Sequence, residues 1–199
     1  MLRIFDFSFS LLGLILLSPF FLLIALIVKL SSSGPVFYTQ PRIGLNRIEF
    51  TLIKFRTMLQ HSDKLGLITV GGRDPRVTSI GYFLRKFKLD ELPQLINVLV
   101  GDMSLVGPRP EVKKYVNLYT KEQRKIFSIR PGITDWASIY FRDENVILGL
   151  SADPEKDYIE KIMPEKLNYN LIYIQNYGVA EYFKIIFCTL WHIVVPVLR

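Results

Sequence analysis

Between Phe7 and Val28 the chain carries no charged side chain. A run of that length reaches about 33 Å as a straight helix, enough to cross a hydrocarbon core of about 30 Å. Beyond it, apolar and polar positions alternate in shorter units. Val36-Phe37-Tyr38 and Phe50-Thr51-Leu52-Ile53 predict two short strands, entered through a turn at Ser31-Ser32-Ser33-Gly34-Pro35. Ser79 to Phe87 predicts a helix with Tyr82, Phe83 and Phe87 as apolar members and Arg85 and Lys86 as basic ones. Behind Asp90-Glu91, Leu92, Leu95, Ile96 and Leu99 recur at helical spacing, and Pro93 is tolerated in a first helical turn, where its missing N–H has no partner to lose. Glu111 to Phe127 reads as an amphipathic helix, Ile133 to Tyr140 as a segment able to pair as a strand, and Pro164 to Gln175 as a helix. The stretch from Ile185 to Leu198 is apolar but short for a membrane span. With Tyr182, Trp191 and His192 it suits a helix lying in a membrane interface over about 182–198, and a buried core helix fits it equally well.

Ser18-Pro19 interrupts the uncharged N-terminal run. Proline removes a backbone donor and clashes with the carbonyl of Ile15, so a kink is expected there, with the Ser18 hydroxyl bonding a freed carbonyl at Leu14. Arg3 precedes the run, and Lys29, Arg42, Arg47, Lys54 and Arg56 follow it, so cytoplasmic retention acts on both flanks. A single span and a re-entrant helix-break-helix both answer this pattern. A cleaved signal peptide answers it less well, because the apolar run exceeds the usual core of such peptides and Lys29 separates it from the small residues at 31–34.

Composition narrows the partners. The formal net charge is +7, which fits a face held against anionic lipid and handling phosphorylated compounds. Nucleic acid is disfavoured: the basic residues are dispersed among apolar segments, and no nucleic-acid motif is present. The single cysteine, Cys188, excludes an intramolecular disulfide, and the distant His61 and His192 lack the spacing of zinc ligands.

The stretch richest in chemistry is Leu89-Asp90-Glu91-Leu92-Pro93-Gln94-Leu95, followed by Gly101-Asp102-Met103-Ser104-Leu105-Val106-Gly107-Pro108-Arg109-Pro110. Two adjacent carboxylates at a helix start lie near the positive end of its dipole, which favours their ionised form, while Arg85 and Arg109 add cations suited to phosphate. Taken alone, the dipeptide reads more readily as a helix cap with a first-turn charge. Gly107-Pro108-Arg109-Pro110 is stiff, since each proline fixes its own φ and biases the residue before it, so Arg109 is expected to point in a fixed direction.

Lys54-Phe55-Arg56-Thr57-Met58, Asp74-Pro75-Arg76-Val77-Thr78, the two segments above and Arg130-Pro131-Gly132-Ile133-Thr134 together resemble the bacterial sugar transferases, the small monotopic phosphoglycosyl transferases. The resemblance implies an α+β, mostly helical fold: a re-entrant membrane helix hairpin over 1–30 with its kink at Ser18 and Pro19, then a cytosolic, membrane-apposed catalytic domain over 31–199. It implies transfer of a sugar-1-phosphate from a UDP-sugar to polyprenyl (undecaprenyl) phosphate at the cytoplasmic face of the bacterial inner membrane, opening a polysaccharide or other glycan pathway. Carried onto matching positions, Asp90 becomes the nucleophile that forms an aspartyl phosphosugar and expels UMP, and Glu91 the ligand of Mg²⁺. Lys54, Arg56, Arg85 and Arg109 become candidates for the phosphates, and the loop at 61–75 either closes over the nucleotide or merely connects. A membrane-anchored scaffold without catalysis is the competing reading.

The chain departs from the family pattern in two places. Asp135-Trp136-Ala137-Ser138 and Arg142-Asp143-Glu144-Asn145 replace a Gly-Trp-Ala-Gln segment and a later Arg-Asn pair, and Asn170 stands where many members carry an acid. No catalytic role passes to Asn170.

Overall fold

The computed structural model describes residues 1–60, 62 and 74–194. His61 and most of the expected 61–75 loop lie outside the described residues, as do 195–199. The N-terminal third consists of helix α1 (Leu2–Ser31) and an antiparallel hairpin of β1 (Phe37–Ile43) and β2 (Glu49–Phe55), in register from Phe37 opposite Phe55 to Ile43 opposite Glu49. Next come α2 (Ser79–Lys86), a 3₁₀ turn at Leu89–Glu91 and α3 (Gln94–Val100). Strand β3 (Ser104–Val106) pairs in parallel with β4 (Gly132–Thr134). Between those strands lie α4 (Lys113–Val116) and a 3₁₀ segment at Gln123–Ser128. The rest is helical: α5 (Trp136–Tyr140), α6 (Glu144–Gly149), α7 (Pro154–Asp157), a π-helical turn at Tyr158–Ile162, α8 (Met163–Gln175) and α9 (Val179–Val194). The mixed, mostly helical class expected from the sequence is present.

Helix α1 is long and apolar enough to cross a membrane, but it is not a free-standing rod. Its inward face repeats every three or four residues through Asp6, Ser10, Gly13, Leu17, Phe21, Ile24 and Val28, the spacing of a helix packed along one side. At Gly13 an added Cβ would lie 3.3 Å from Leu95 Cδ1, so α1 and α3 approach closely there. Ile24 and Val28 are buried with Phe55 and Leu84. The opposite face exposes Ile15, Leu16, Phe20, Leu22 and Leu23. The break expected at Ser18-Pro19 is instead a continuous helical run through Pro19. Ser18 Oγ donates to Ile15 O at 2.8 Å, the carbonyl that Pro19 leaves without its N–H, rather than to Leu14 as expected.

Polar ties hold both ends of α1. Near its start, Arg3 donates to the carbonyls of Val98 and Leu99 at the end of α3. Asp6, 3% exposed, accepts at one oxygen from Ser104 Oγ (2.9 Å), Leu105 N (2.9 Å) and Tyr182 Oη (2.8 Å), joining α1, β3 and α9. At the other end Arg56 donates to the carbonyls of Val28, Ser32 and Ser33, closing the last turn of the helix.

Two elements differ from expectation. Glu111 to Phe127 is not one helix: α4 ends at Val116, and Thr120 with Gln123 forms a reciprocal pair, Thr120 N donating to Gln123 Oε1 at 2.8 Å and Gln123 N to Thr120 Oγ1 at 3.2 Å. That local box restarts the chain as a separate 3₁₀ segment. The strand expected over Ile133–Tyr140 stops at Thr134, because Asp135 caps α5 by accepting from Ser138 N at 2.6 Å. In the C-terminal helix Tyr182 and Ile185 are buried, as in a core helix, whereas Phe187, Leu190 and Trp191 are exposed.

Asp6→Ala would leave Leu105 N–H, Ser104 and Tyr182 without their shared acceptor inside a packed junction. Unfolding of the detergent-solubilised protein should show a loss of about 3 kcal/mol, and Ser104→Ala a loss of only about 1 kcal/mol. Equal stability of Asp6→Ala and wild type would mean that this junction does not hold α1 in place.

Candidate active site

Strand β2 delivers Lys54, and the residues that follow it position α2. Thr78 N donates to Thr57 O at 2.9 Å, while Thr78 Oγ1 caps α2 by accepting from Gly81 N at 3.0 Å. Gly81 is required by this approach, since a Cβ would run into the Thr57 carbonyl. Arg85, one turn further on, donates through Nε to Thr57 Oγ1 at 2.8 Å. The chain then reverses at Lys88 in a left-handed conformation (φ 57°, ψ 20°), and the 3₁₀ turn presents Asp90 and Glu91. Asn97 fixes the next helix to the hairpin, accepting from Ile53 N at 3.1 Å and donating to Thr51 O at 2.8 Å.

Arg109 arrives from a second direction. Gly107 N donates to Thr134 O and Gly132 N to Pro108 O, both at 3.0 Å. The two glycine backbones touch, and a Cβ on either would strike the other strand. With the flanking prolines this fixes the loop as expected. Asp135, fully buried, adds the last restraint by accepting from Arg109 N at 3.2 Å. Sequence reasoning saw Asp135 only as a departure from a pattern; the available signal was an acid three residues ahead of Ser138, the spacing of a helix cap.

The dyad is buried, Asp90 to 6% and Glu91 to 8% exposure. Both oxygens of Glu91 are held: Arg109 forks onto them, with Nη1 to Oε2 at 3.1 Å and Nη2 to Oε1, and Lys54 Nζ lies 2.9 Å from Oε1. Asp90 Oδ1, in contrast, is shielded from water and has no hydrogen-bond partner, as is Nε2 of the neighbouring Gln94. The two acids therefore titrate in opposite directions. For Glu91, burial pushes the carboxyl up but Arg109 and Lys54 together outweigh it, and the group is held well below its ordinary range. For Asp90, burial and then the adjacent Glu91 charge raise the carboxyl, against the pull of Lys54 and Arg85. Burial likewise draws the Lys54 ammonium down, against the attraction of Glu91.

The opposite directions of the two shifts replace the expectation that one helix-dipole field acts alike on both acids. The pair sits in the turn before α3, whose own cap is Pro93, and desolvation outweighs the field of one short helix at Asp90. Of the expected phosphate-binding residues, Lys54, Arg85 and Arg109 converge on the dyad. Arg56 does not: its donors close the end of α1, which ties that helix to the end of β2. His192 faces the Cys188 carbonyl within α9 and is not brought to the acids. Among the described residues no group of three or more His, Cys, Asp or Glu side chains is placed to hold a metal ion.

A family model described as bacterial sugar transferase matches residues 1–196. The chain belongs to the bacterial sugar transferases. This sugar transferase is 38% identical over 180 residues, 88% of its length, to the UDP-N-acetylgalactosamine-undecaprenyl-phosphate N-acetylgalactosaminephosphotransferase of Aeromonas hydrophila. It is 40% identical over 190 residues, 94% of its length, to the UDP-glucose:undecaprenyl-phosphate glucose-1-phosphate transferase of Escherichia coli. The matched parts are 39% and 38% of those two relatives, so the chain spans well under half of either. The exopolysaccharide production protein ExoY of Sinorhizobium fredii is 40% identical over 157 residues, 71% of this chain and 70% of that protein.

Arg109→Met in this sugar transferase would leave a buried carboxylate with Lys54 as its remaining partner. The loss should be about 3 kcal/mol at neutral pH, toward the low end for a broken buried pair because the Arg109 side chain is 32% exposed. Because the Glu91 carboxyl is depressed in the folded state, its stabilisation is present above its ordinary value of 4.5. It is lost as pH falls through the lower folded value. The difference in unfolding free energy between wild type and Arg109→Met should therefore shrink on acidification, and a pH-independent difference would exclude the ion pair as its source.

Proposed function

We propose that this chain is a phosphoglycosyl transferase that moves a sugar-1-phosphate from a UDP-sugar to undecaprenyl phosphate and releases UMP. The observation that carries the reading is the asymmetry of the dyad: Glu91 is clamped at both oxygens, while Asp90 keeps an oxygen free of any partner. A carboxylate that is buried, unbonded and raised in basicity is suited to attack, and a clamped one is not. Two relatives of about 40% identity carry names describing this transfer to undecaprenyl phosphate.

In this reading an Asp90 oxygen attacks the phosphorus nearest the sugar. The bond from that phosphorus to the bridging oxygen breaks, and UMP leaves with the electron pair. A phosphate oxygen of the lipid then attacks the same phosphorus and returns Asp90 as a carboxylate. Lys54, Arg85 and Arg109 surround the point where two anionic substrates meet, and that repulsion is the main barrier such a site has to lower. Mg²⁺ would be held by Glu91, whose oxygens it would share with Arg109 and Lys54, and diphosphate oxygens and water would complete the shell. Bound there, the ion would neutralise diphosphate charge.

The reading includes membrane association on the cytoplasmic side, and the way α1 is held supports attachment to one leaflet. A straight helix of 30 residues is about 45 Å long, yet both of its ends are tied to one folded unit, through Arg3 and Asp6 at one end and Arg56 at the other. We read α1, one unbroken helix, as entering one leaflet and returning by a bend within that helix at Ser18-Pro19, not by a break, with its exposed middle in lipid. Phe83, Phe87, Phe187 and Trp191 add exposed aromatic surface suited to the interface.

Two experiments test this. Incubated with a labelled UDP-sugar and Mg²⁺ but no lipid acceptor, the wild type should retain label on the protein and Asp90→Asn should not; equal labelling of Asp90→Asn would place the nucleophile elsewhere. In a Cys188→Ala background, a cysteine at Leu2 should resist an impermeant thiol reagent in intact cells and react in inverted vesicles. Reaction in intact cells would sink the re-entrant reading.

A further inference from the structure

A cleft of about 200 Å³ opens beside Arg109, between the loop that carries it and α8. Its walls bring together two ion pairs from distant parts of the chain. Arg42 Nη1 meets Glu111 Oε1 at 2.8 Å, Tyr158 Oη donates to Glu111 Oε2 at 2.5 Å, and Lys166 Nζ meets Glu144 Oε2 at 2.6 Å. On the same wall stands Asn170, 5% exposed, whose Oδ1 is sealed from water without a hydrogen bond. A buried carboxamide oxygen with no partner is costly and rare in a folded protein, and rotation of the Asn170 side chain toward the cleft it lines would give that oxygen a partner on a ligand.

We propose that this cleft holds the sugar ring of the donor, with Asn170 reading one of its ring substituents. The proposal rests on the transferase reading above. The volume is below the roughly 300–1,000 Å³ of pockets that enclose a whole drug-sized ligand, so the cleft suits one ring and not an entire nucleotide-sugar. Its chemistry is that of a hydroxyl-binding surface: carboxylates accept, a lysine and an arginine donate, and a carboxamide does both. Its place fits as well. Arg109 lines the cleft and also grips Glu91, so the cleft begins next to the acid that adjoins Asp90. In the proposed intermediate the sugar remains one phosphate away from Asp90 after the nucleotide has gone. A ring held here stays bound between the two half-reactions.

The test uses the full chain in detergent with a panel of UDP-sugars, undecaprenyl phosphate and Mg²⁺, reading UMP release and, separately, competitive inhibition by UMP. Asn170→Leu fills the space without polar atoms, and Asn170→Asp keeps the shape but changes the donor. Both variants should lose roughly 10- to 100-fold in kcat/KM for the preferred UDP-sugar, compress the preference among sugars, and keep the wild-type inhibition constant for UMP. The thermal midpoint of Asn170→Leu should not fall. Unchanged preference and kcat/KM in both variants would overturn the proposal, as would an equal loss of UMP affinity, which would make the cleft a nucleotide site. If wild type releases UMP from no sugar in the panel, the transferase reading fails and this proposal falls with it. Wild-type turnover with indifferent Asn170 variants overturns the cleft alone.

Discussion

Two consecutive carboxylates buried in one turn set the main electrostatic problem of this protein. Adjacent anions removed from water repel each other, and neither can be neutralised by moving apart. The solution is to bring cations from separate parts of the chain, Lys54 from β2, Arg85 from α2 and Arg109 from the loop after β3, so the elements that carry them are constrained to meet at Asp90-Glu91. Compensation is unequal. Glu91 takes the fork of Arg109 and the ammonium of Lys54 and is held ionised, whereas Asp90 is left with a raised carboxyl and an unpartnered oxygen. One carboxylate of the pair is thereby paired at both oxygens, and the other keeps an oxygen without a partner.

The same economy of polar groups governs how the membrane helix joins the domain. Ile24 and Val28 of α1 pack on Phe55 and Leu84, and polar ties add to this apolar contact. Those ties are hydrogen bonds that are shielded by packing: Asp6 collects donors from β3 and α9, Arg3 closes the end of α3, and Arg56 closes the end of α1. Because α3 follows the dyad directly and is itself pinned to β2 by Asn97, the depth of α1 and the position of the acids are mechanically one quantity. For the proposed transfer, that linkage would hold the acids at a set place relative to α1.

Much of the architecture was legible in the chain because it is local. The uncharged run, the alternation in the two strands, and the helices at 79–87 and 164–175 follow from periodicity within one segment. The errors were local as well. Glu111 to Phe127 has helical periodicity, but Thr120 and Gln123 satisfy each other's backbone and end the run. Asp135 stops a strand by capping a helix, a competition that periodicity does not register.

For the site, the sequence by itself determined which residues carry chemistry: an adjacent acid pair, a stiff loop around Arg109, and cations at 54 and 85, all recognisable from residue type and order. Tertiary structure alone decided what each of them does. Arg56, indistinguishable in sequence from Lys54 as a phosphate ligand, donates to the carbonyls of Val28 in α1 and of Ser32 and Ser33 just after it, and Asp135 orients Arg109 from 26 residues away. The opposite titration of Asp90 and Glu91 belongs to the same class. Neighbours in a chain share a local field, but burial and the reach of an arginine from another loop depend on distances that exist only after folding, and at short range those terms exceed anything a single helix end supplies.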